Sequence, residues 1–278
     1  MEKAPARRSW ADLGPRFASA VVLIAVTLAA LYVGGLLFAA LVGAVIGGCY
    51  REWERMVTLK PLTPSGGVLI GLIVLAALGY PIGGPLLTLG IVAVAAIVAA
   101  FAPHPNGLWR AGGVAFFGVV AMAMLAVRGS THDGILAGLF LVAVIWFTDT
   151  GAFFTGRQIG GERLAPDISP SKTWSGAIGG LAFGTLAGLI AWLIMVPASD
   201  WWIGLVLAAA TSILGQLGDL GESAIKRRFR IKDSGDIIPG HGGLMDRLDS
   251  LTFGVLFVFI LGLLRAGPDA IAAGFLQW

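Results

Sequence analysis

Apolar runs separated by short polar breaks recur along the chain, at about 17–33, 36–50, 66–82, 85–102, 111–127, 135–155, 175–196, 201–217 and 251–264. Each is too long for a strand, and a bilayer core takes about 20 helical residues, so the pattern predicts membrane-crossing helices, the shorter ones helped by flanking residues or a thinned membrane. The expected fold class is therefore an all-α polytopic integral membrane protein with about nine transmembrane helices and a cytoplasmic N-terminus. The polar breaks leave no room for a separate soluble domain, so residues 1–278 are read as a single transmembrane unit. Residues 1–16 form a cytoplasmic N-terminal segment, and 156–174 and 218–250 two cytoplasmic loops.

Composition supports this reading. Hydrophobic residues make up 57% of the 278 positions, charged residues only 13%, and mean hydropathy is +0.86, well outside the range of soluble domains. With nine spans and a cytoplasmic start, 17 of the 19 Lys and Arg face the cytoplasm and only Arg128 and Arg265 face away, a strong positive-inside bias. One span more or fewer before residue 135 would spoil it. Formal net charge is only +3, and no nucleic-acid motif is present, so the basic loops are read against lipid headgroups rather than RNA or DNA. Cys49 is the sole cysteine, which excludes an intramolecular disulfide and a thiolate metal cluster. Glycines are abundant, and Gly176, Gly179, Gly180, Gly184 and Gly188 recur mostly every three or four residues along one run, the spacing that lets membrane helices approach closely.

Charge is densest in the second loop and its flanks, where a membrane protein should be shedding it, and charge placed against a bilayer usually has work to do. Asp219, Glu222, Ser223 and Lys226 are spaced i, i+3, i+4 and i+7. If the helix that begins near 201 continues past the membrane surface, all four share one face. Lys226, Arg227, Arg228, Arg230 and Lys232 put five cations within seven positions, beside Asp233. Gly240, His241, Gly242 and Gly243 form a flexible backbone able to point N–H groups at an anion, directly before Asp246, Arg247 and Asp249 at the start of the last apolar run. Asp246 and Asp249, three apart, are expected on one helical face near its N-terminus. Carboxylates beside clustered cations suit a Mg²⁺-phosphate ligand, because Mg²⁺ takes few protein carboxylates and completes its shell with phosphate oxygens and water.

Asp149, in WFTDTG, is expected about 12 Å inside the membrane from Arg157, at 1.5 Å per residue. In the first loop Ser169-Pro-Ser-Lys172-Thr173 ends like a phosphate-binding P-loop, but Pro166 and Ser171 stand where that motif requires glycine. What remains is a lysine flanked by hydroxyls, suited to a phosphate at the membrane surface.

The stretch Ser223–Asp249, SAIKRRFRIKDSGDIIPGHGGLMDRLD, resembles the C-terminal signature of the phosphatidate cytidylyltransferases, the CDP-diacylglycerol synthases. DTGAFFTGR at 149–157 and SPSKTW at 169–174 are similar to further segments of that family. Where family members often carry Glu, this chain has Ser175, which receives no role. The resemblance implies transfer of a cytidylyl group from CTP to phosphatidic acid, giving CDP-diacylglycerol and pyrophosphate for phospholipid biosynthesis, with Mg²⁺ as one or two divalent cations. A compact chain of this length suits a bacterial inner membrane, the Lys and Arg bias turns the active site toward the cytoplasm, and pairing as a homodimer is left open. The expected catalytic residues are Asp219, Asp246, Asp249, Lys226 and Asp149, with Asp219, Asp246 and Asp249 holding metal. Substrate would be bound by Ser169, Lys172, Thr173, Ser223, Arg227, Lys232, Asp233, His241, Gly242, Gly243 and Arg247. The alternative from another class is a transporter of an anionic or phosphorylated solute, although its polar residues would be expected near the midplane and in inverted repeats.

Overall fold

The computed structural model describes residues 24–102, 106–235 and 242–278. They form an all-α membrane protein: α1 (Ile24–Val33), α2 (Gly35–Thr58), α3 (Pro64–Phe101), α4 (Gly107–Arg128), α5 (His132–Gln158), a hairpin of β1 (Arg163–Ala165) and β2 (Ser169–Thr173), α6 (Trp174–Met195), α7 (Trp201–Arg228), a 3₁₀ turn (Met245–Arg247), α8 (Asp249–Ala266) and α9 (Ile271–Leu276). Among the described residues seven helices, α2 to α8, are long and apolar enough to cross a membrane.

The expected number was nine, and the difference lies at two places. Only Ile24–Val33 of the first apolar run belongs to the described residues. The runs 66–82 and 85–102 are joined in α3, whose 38 residues contain one non-helical position, Gly84 at φ 64° and ψ −162°. In a straight helix Ala76 and Thr88 would be about 18 Å apart, yet Thr88 Oγ1 donates to the Ala76 carbonyl at 3.1 Å. The chain therefore doubles back at Gly84, a conformation that glycine adopts without a Cβ penalty, and the two arms of α3 pack against each other.

Glycine also sets the α5–α6 spacing. A Cβ added at Gly184 would lie 2.0 Å from Thr148 Oγ1, one at Gly179 2.1 Å from Thr155 Oγ1, and one at Gly188 2.5 Å from Ala208 Cβ, so the small-residue stripe seats α6 against α5 and α7 as its spacing predicted. Across this interface Thr148 Oγ1 and Ser212 Oγ share a hydrogen bond of 2.8 Å. Gly184→Ala is expected to destabilise the protein by about 1–3 kcal/mol through overpacking, read as a lower melting temperature in detergent; an unchanged melting temperature would mean that the helices part at no cost.

The two segments read as loops are more ordered than expected. The region 156–174 contains the last turn of α5 and the hairpin, in which Arg163 pairs with Thr173 and Ala165 with Ser169. The region 218–250 begins as helix, because α7 runs on to Arg228. Hydropathy falls after Leu217, but Glu, Ala, Lys and Arg are good helix formers, so the helix outlasts the membrane. Asp246 and Asp249 do not share a helix: Asp246 lies in the 3₁₀ turn and Asp249 opens α8.

The candidate active site at the polar end of α7

Where α7 emerges, Asp219, Glu222, Ser223 and Lys226 form one face, as their spacing predicts. Ser223 Oγ lies 3.5 Å from Asp219 Oδ1. Lys226 is the hub: Nζ lies 3.2 Å from Glu222 Oε1 on its own helix and 2.5 Å from Asp246 Oδ1 across the site. Lys226 and Glu222 are each only 10% exposed at the side chain. Glu222 lies against both Lys226 and Asp246, so the three groups form one buried cluster.

Asp246 is fixed more firmly. Its Oδ1 accepts from Lys226, and its Oδ2 accepts from the backbone N–H groups of Ser234 at 3.2 Å and Gly243 at 3.1 Å. Burial alone would raise the Asp246 carboxyl, but the Lys226 ammonium, the hydrogen bond shared with Glu222 and the donated N–H group of Ser234 outweigh it and hold Asp246 below the usual carboxylate range.

The hairpin closes the site from the other side. Lys172 Nζ on β2 lies 2.5 Å from Asp219 Oδ2, and Arg227 Nε on α7 donates to the Ile168 carbonyl in the hairpin turn at 3.1 Å. Lys172 thus reaches from the hairpin to the face of α7 that also carries Lys226, which pairs with Asp246. Asp249 bonds the adjacent Ser250 N–H at 2.7 Å and feels the charges of Asp219, Glu222 and Asp149. Asp149, from α5, faces Asp219, Lys172, Arg247 and the Ser250 hydroxyl. Five carboxylates from α5, α7, the 3₁₀ turn and α8 thus gather around two lysines.

Two cavities flank this charge. One, of about 330 Å³, lies among Trp53, Trp109, Phe116 and Phe253, with Glu222 and Asp249 in its wall. The other, of about 400 Å³, is an apolar groove between α1, α2, α5 and α8 that has Asp149 and Arg247 at one end and Arg128 and Gly134 at the other.

Other expected site residues stand elsewhere. Thr173 is buried, and its hydroxyl accepts from Gly176 N at 3.1 Å as the N-cap of α6, so its oxygen serves the helix. Ser169 opens β2, while Lys232 and Asp233 are exposed beyond α7. Arg227 spends its donors on the Ile168 and Ile231 carbonyls. Gly242, at φ 81°, precedes the 3₁₀ turn, whereas Gly243 stays in the site and gives its N–H to Asp246. His241 lies outside the described residues.

The structure adds residues that the sequence reading missed. Glu52 on α2, 1% exposed, accepts from Ser234 Oγ at 2.9 Å, Leu244 N at 2.9 Å and Met245 N at 2.8 Å. A signal existed: Glu52 falls between Cys49 and Met56 on the buried stripe of α2, where a carboxylate needs partners.

The cytidylyltransferase family model matches residues 15–264, nearly the whole chain and all of the site just described. This chain belongs to the cytidylyltransferase family. It is similar along its length to a protein of Brucella abortus (strain 2308) named phosphatidate cytidylyltransferase, with 36% identity over 271 residues, 96% of this chain and 99% of that protein. Proteins of the same name from Staphylococcus haemolyticus and Bacillus subtilis (strain 168) are 44% identical over 156 residues and 38% identical over 146, in each case about half of either chain. In this member of the family, Glu222, Lys226, Asp246 and Asp219 are the charged core that the matched region encloses.

Proposed function

We propose that this protein transfers the cytidylyl group of CTP to phosphatidate, releasing pyrophosphate and forming CDP-diacylglycerol for phospholipid synthesis. The observation that carries the reading is the joining of Lys172–Asp219 and Lys226–Asp246 at one end of the helical bundle, in a chain whose full-length relatives bear that enzyme's name. The strongly biased Lys and Arg distribution supports a cytoplasmic orientation of that end, in a bacterial inner membrane. Arg128 and Arg265 belong to the opposite end: Arg128 donates to the Leu31 and Tyr32 carbonyls, and Arg265 to those of Gly274 and Gln277.

A phosphate oxygen of phosphatidate attacks the α-phosphorus of CTP; one P–O bond forms, and the bond to the β-phosphate oxygen breaks as pyrophosphate leaves. No covalent enzyme intermediate is needed, because the lipid phosphate is already an anionic nucleophile. The protein's task is to bring two anions together and stabilise the leaving charge. Lys172, Lys226 and Arg247 are the cations best placed for phosphates. The groove beside Asp149 and Arg247 suits an acyl chain: from Asp149 to Gly134 it follows α5 for about 22 Å at 1.5 Å per residue, with a cation where the lipid phosphate would be.

A divalent cation fits the donor chemistry. Asp149, Asp219, Glu222 and Asp249 are hard oxygen donors crowded with like charge. Among the described residues no three such side chains converge closely enough to enclose an ion, which matches Mg²⁺ only as an ion shared with substrate phosphates. Asp219 and Asp249 would supply its protein oxygens, with Asp246 beside them already accepting from Lys226, Ser234 and Gly243, and bound there it would neutralise triphosphate charge.

Purified protein given phosphatidate, Mg²⁺ and each nucleoside triphosphate in turn should release pyrophosphate with CTP and only when phosphatidate is present. Lys172→Ala should retain the fold and lose roughly 10²-fold in kcat/KM, the scale of one charged group at a transferring phosphate. Solute uptake by vesicles without CTP turnover would overturn the reading in favour of transport.

A further inference from the structure

Glu52 has no place in the chemistry just described. It is among the most deeply buried charged groups of the protein, at 1% exposure near the end of α2, and it lies 182 residues from Ser234 and 193 from Met245. Its three donors come from the two backbone segments that also hold Asp246. Ser234 gives its hydroxyl to Glu52 and its N–H to Asp246. On the other segment Gly243 N–H goes to Asp246, while the next two, Leu244 and Met245, go to Glu52. The two carboxylates are thus interleaved on the same pair of backbones.

Close approach at the glycines bears this out independently. A Cβ at Gly243 would meet Ser234 Oγ at 1.9 Å, Glu52 Oε2 at 2.8 Å and Asp246 Oδ2 at 2.9 Å; one at Gly235 would meet Glu52 Oε1 at 2.5 Å. Glycine is needed at both places because the backbone presses against the two carboxylates.

We infer that Glu52 is a positioning residue for the cytidylyl transfer: by binding Ser234, Leu244 and Met245 it fixes where Asp246 meets Lys226. The inference rests on the proposed activity for its kinetic reading, and on geometry alone for its structural one. A carboxylate is required, since Glu52 accepts on both oxygens, and a glutamine would turn an N–H₂ toward at least one N–H or O–H donor. A displacement of Asp246 by about 1 Å suffices to cost on the order of 10²-fold in rate.

Two measurements test this on the full-length protein in detergent. In steady-state kinetics, Glu52→Gln should lower kcat by roughly 10- to 100-fold and leave the KM for phosphatidate within about twofold. Ser234→Ala removes one of the three bonds and should show a smaller fall in the same direction. Combined with Glu52→Gln it should add nearly nothing, because its partner is already lost. In hydrogen exchange followed by mass spectrometry, the peptide carrying Leu244 and Met245 should exchange faster in Glu52→Gln than in the parent. If Glu52→Gln fails to fold, Ser234→Ala and Gly243→Ala carry the same kinetic test. The inference is overturned by folded variants with parental kcat, by strictly additive effects, or by unchanged exchange at Leu244 and Met245. A parent protein that does not turn over CTP would instead overturn the activity, and the exchange result would still decide the role of Glu52.

Discussion

Asp246→Asn is expected to reduce CTP-dependent pyrophosphate release by roughly 10²–10³-fold, the scale of removing one charged group at a site of developing charge. The protein should still elute as a folded species. In the native site Oδ1 binds the Lys226 ammonium at 2.5 Å and Oδ2 accepts two backbone N–H groups. An asparagine offers one oxygen. Whichever way the amide turns, either Lys226 or the Ser234 and Gly243 N–H groups face an N–H₂, at a cost of about 1–3 kcal/mol for the unsatisfied donors. With the amide nitrogen turned to Lys226, the ammonium would be left with Glu222, 3.2 Å away on its own helix, and would move toward it. The same contacts predict the acid limb of stability. Because Asp246 is held below the usual carboxylate range, it binds protons less readily folded than unfolded. Its contribution is complete above the ordinary aspartate value near pH ~4 and is lost as pH falls through the depressed one; Asp246→Asn should therefore flatten the stability profile below about pH 4. Near-parental turnover in Asp246→Asn, assayed with phosphatidate and Mg²⁺, would remove this residue from the chemistry.

The distribution of such residues explains what could be read from the chain before its structure. The helices were legible because lipid imposes a long apolar run on each of them, and the α7 face was legible because Asp219, Glu222, Ser223 and Lys226 repeat with the helical period. The first loop was linked to α7 in the reading only through shared chemistry, and Lys172–Asp219 makes that link a direct ion pair. Hydropathy marks where an apolar segment ends, not where a helix does: α7 outruns its apolar run by eleven residues, from 218 to 228, the continuation on which the shared face of Asp219, Glu222, Ser223 and Lys226 depended.

The partners of the buried carboxylates of α2 were illegible for a different reason: the helical stripe marks Glu52 as buried, but not what satisfies it. In REWERM, Glu52 and Glu54 look like the ordinary charged flank of a membrane helix, and nothing local says that their partners lie in other elements. Arg110 was read as one more cytoplasmic charge. Burial depends on neighbours that only the fold supplies: α3 and α4 cover Glu54, and the segments 234–235 and 243–245 cover Glu52. Long-range polar pairs leave no periodic trace, so they are the part of a membrane protein that hydropathy misses.

Arg110→Met should produce the largest loss of stability among single substitutions away from the site. Arg110 and Glu54 are 1% and 0% exposed, and the guanidinium binds both carboxylate oxygens, Nε to Oε2 at 2.9 Å and Nη2 to Oε1 at 2.8 Å. Nη2 also reaches Ser65 Oγ at 2.8 Å, while Thr63 Oγ1 and Tyr50 OH donate to Glu54 at 3.0 and 3.3 Å. The pair thereby ties together α2, the start of α3 and the start of α4. Methionine fills much of the arginine volume but leaves Glu54 charged and buried, which costs about 3–5 kcal/mol and should lower the apparent melting temperature in detergent by roughly 10 °C. Glu54→Met with Arg110→Met removes both charges and should recover most of that loss, because a buried ion pair is worth little against apolar groups of similar volume. The comparison separates the pair's own contribution from the penalty of stranding one charge. A single variant that melts within about 2 °C of the parent would show that water or another cation reaches Glu54. A double variant as unstable as the single would place the stabilisation in Tyr50, Thr63 and Ser65 instead. The substitution should also slow turnover, since Glu54 is two residues from Glu52 on α2 and any shift of that helix end displaces the clamp on Asp246.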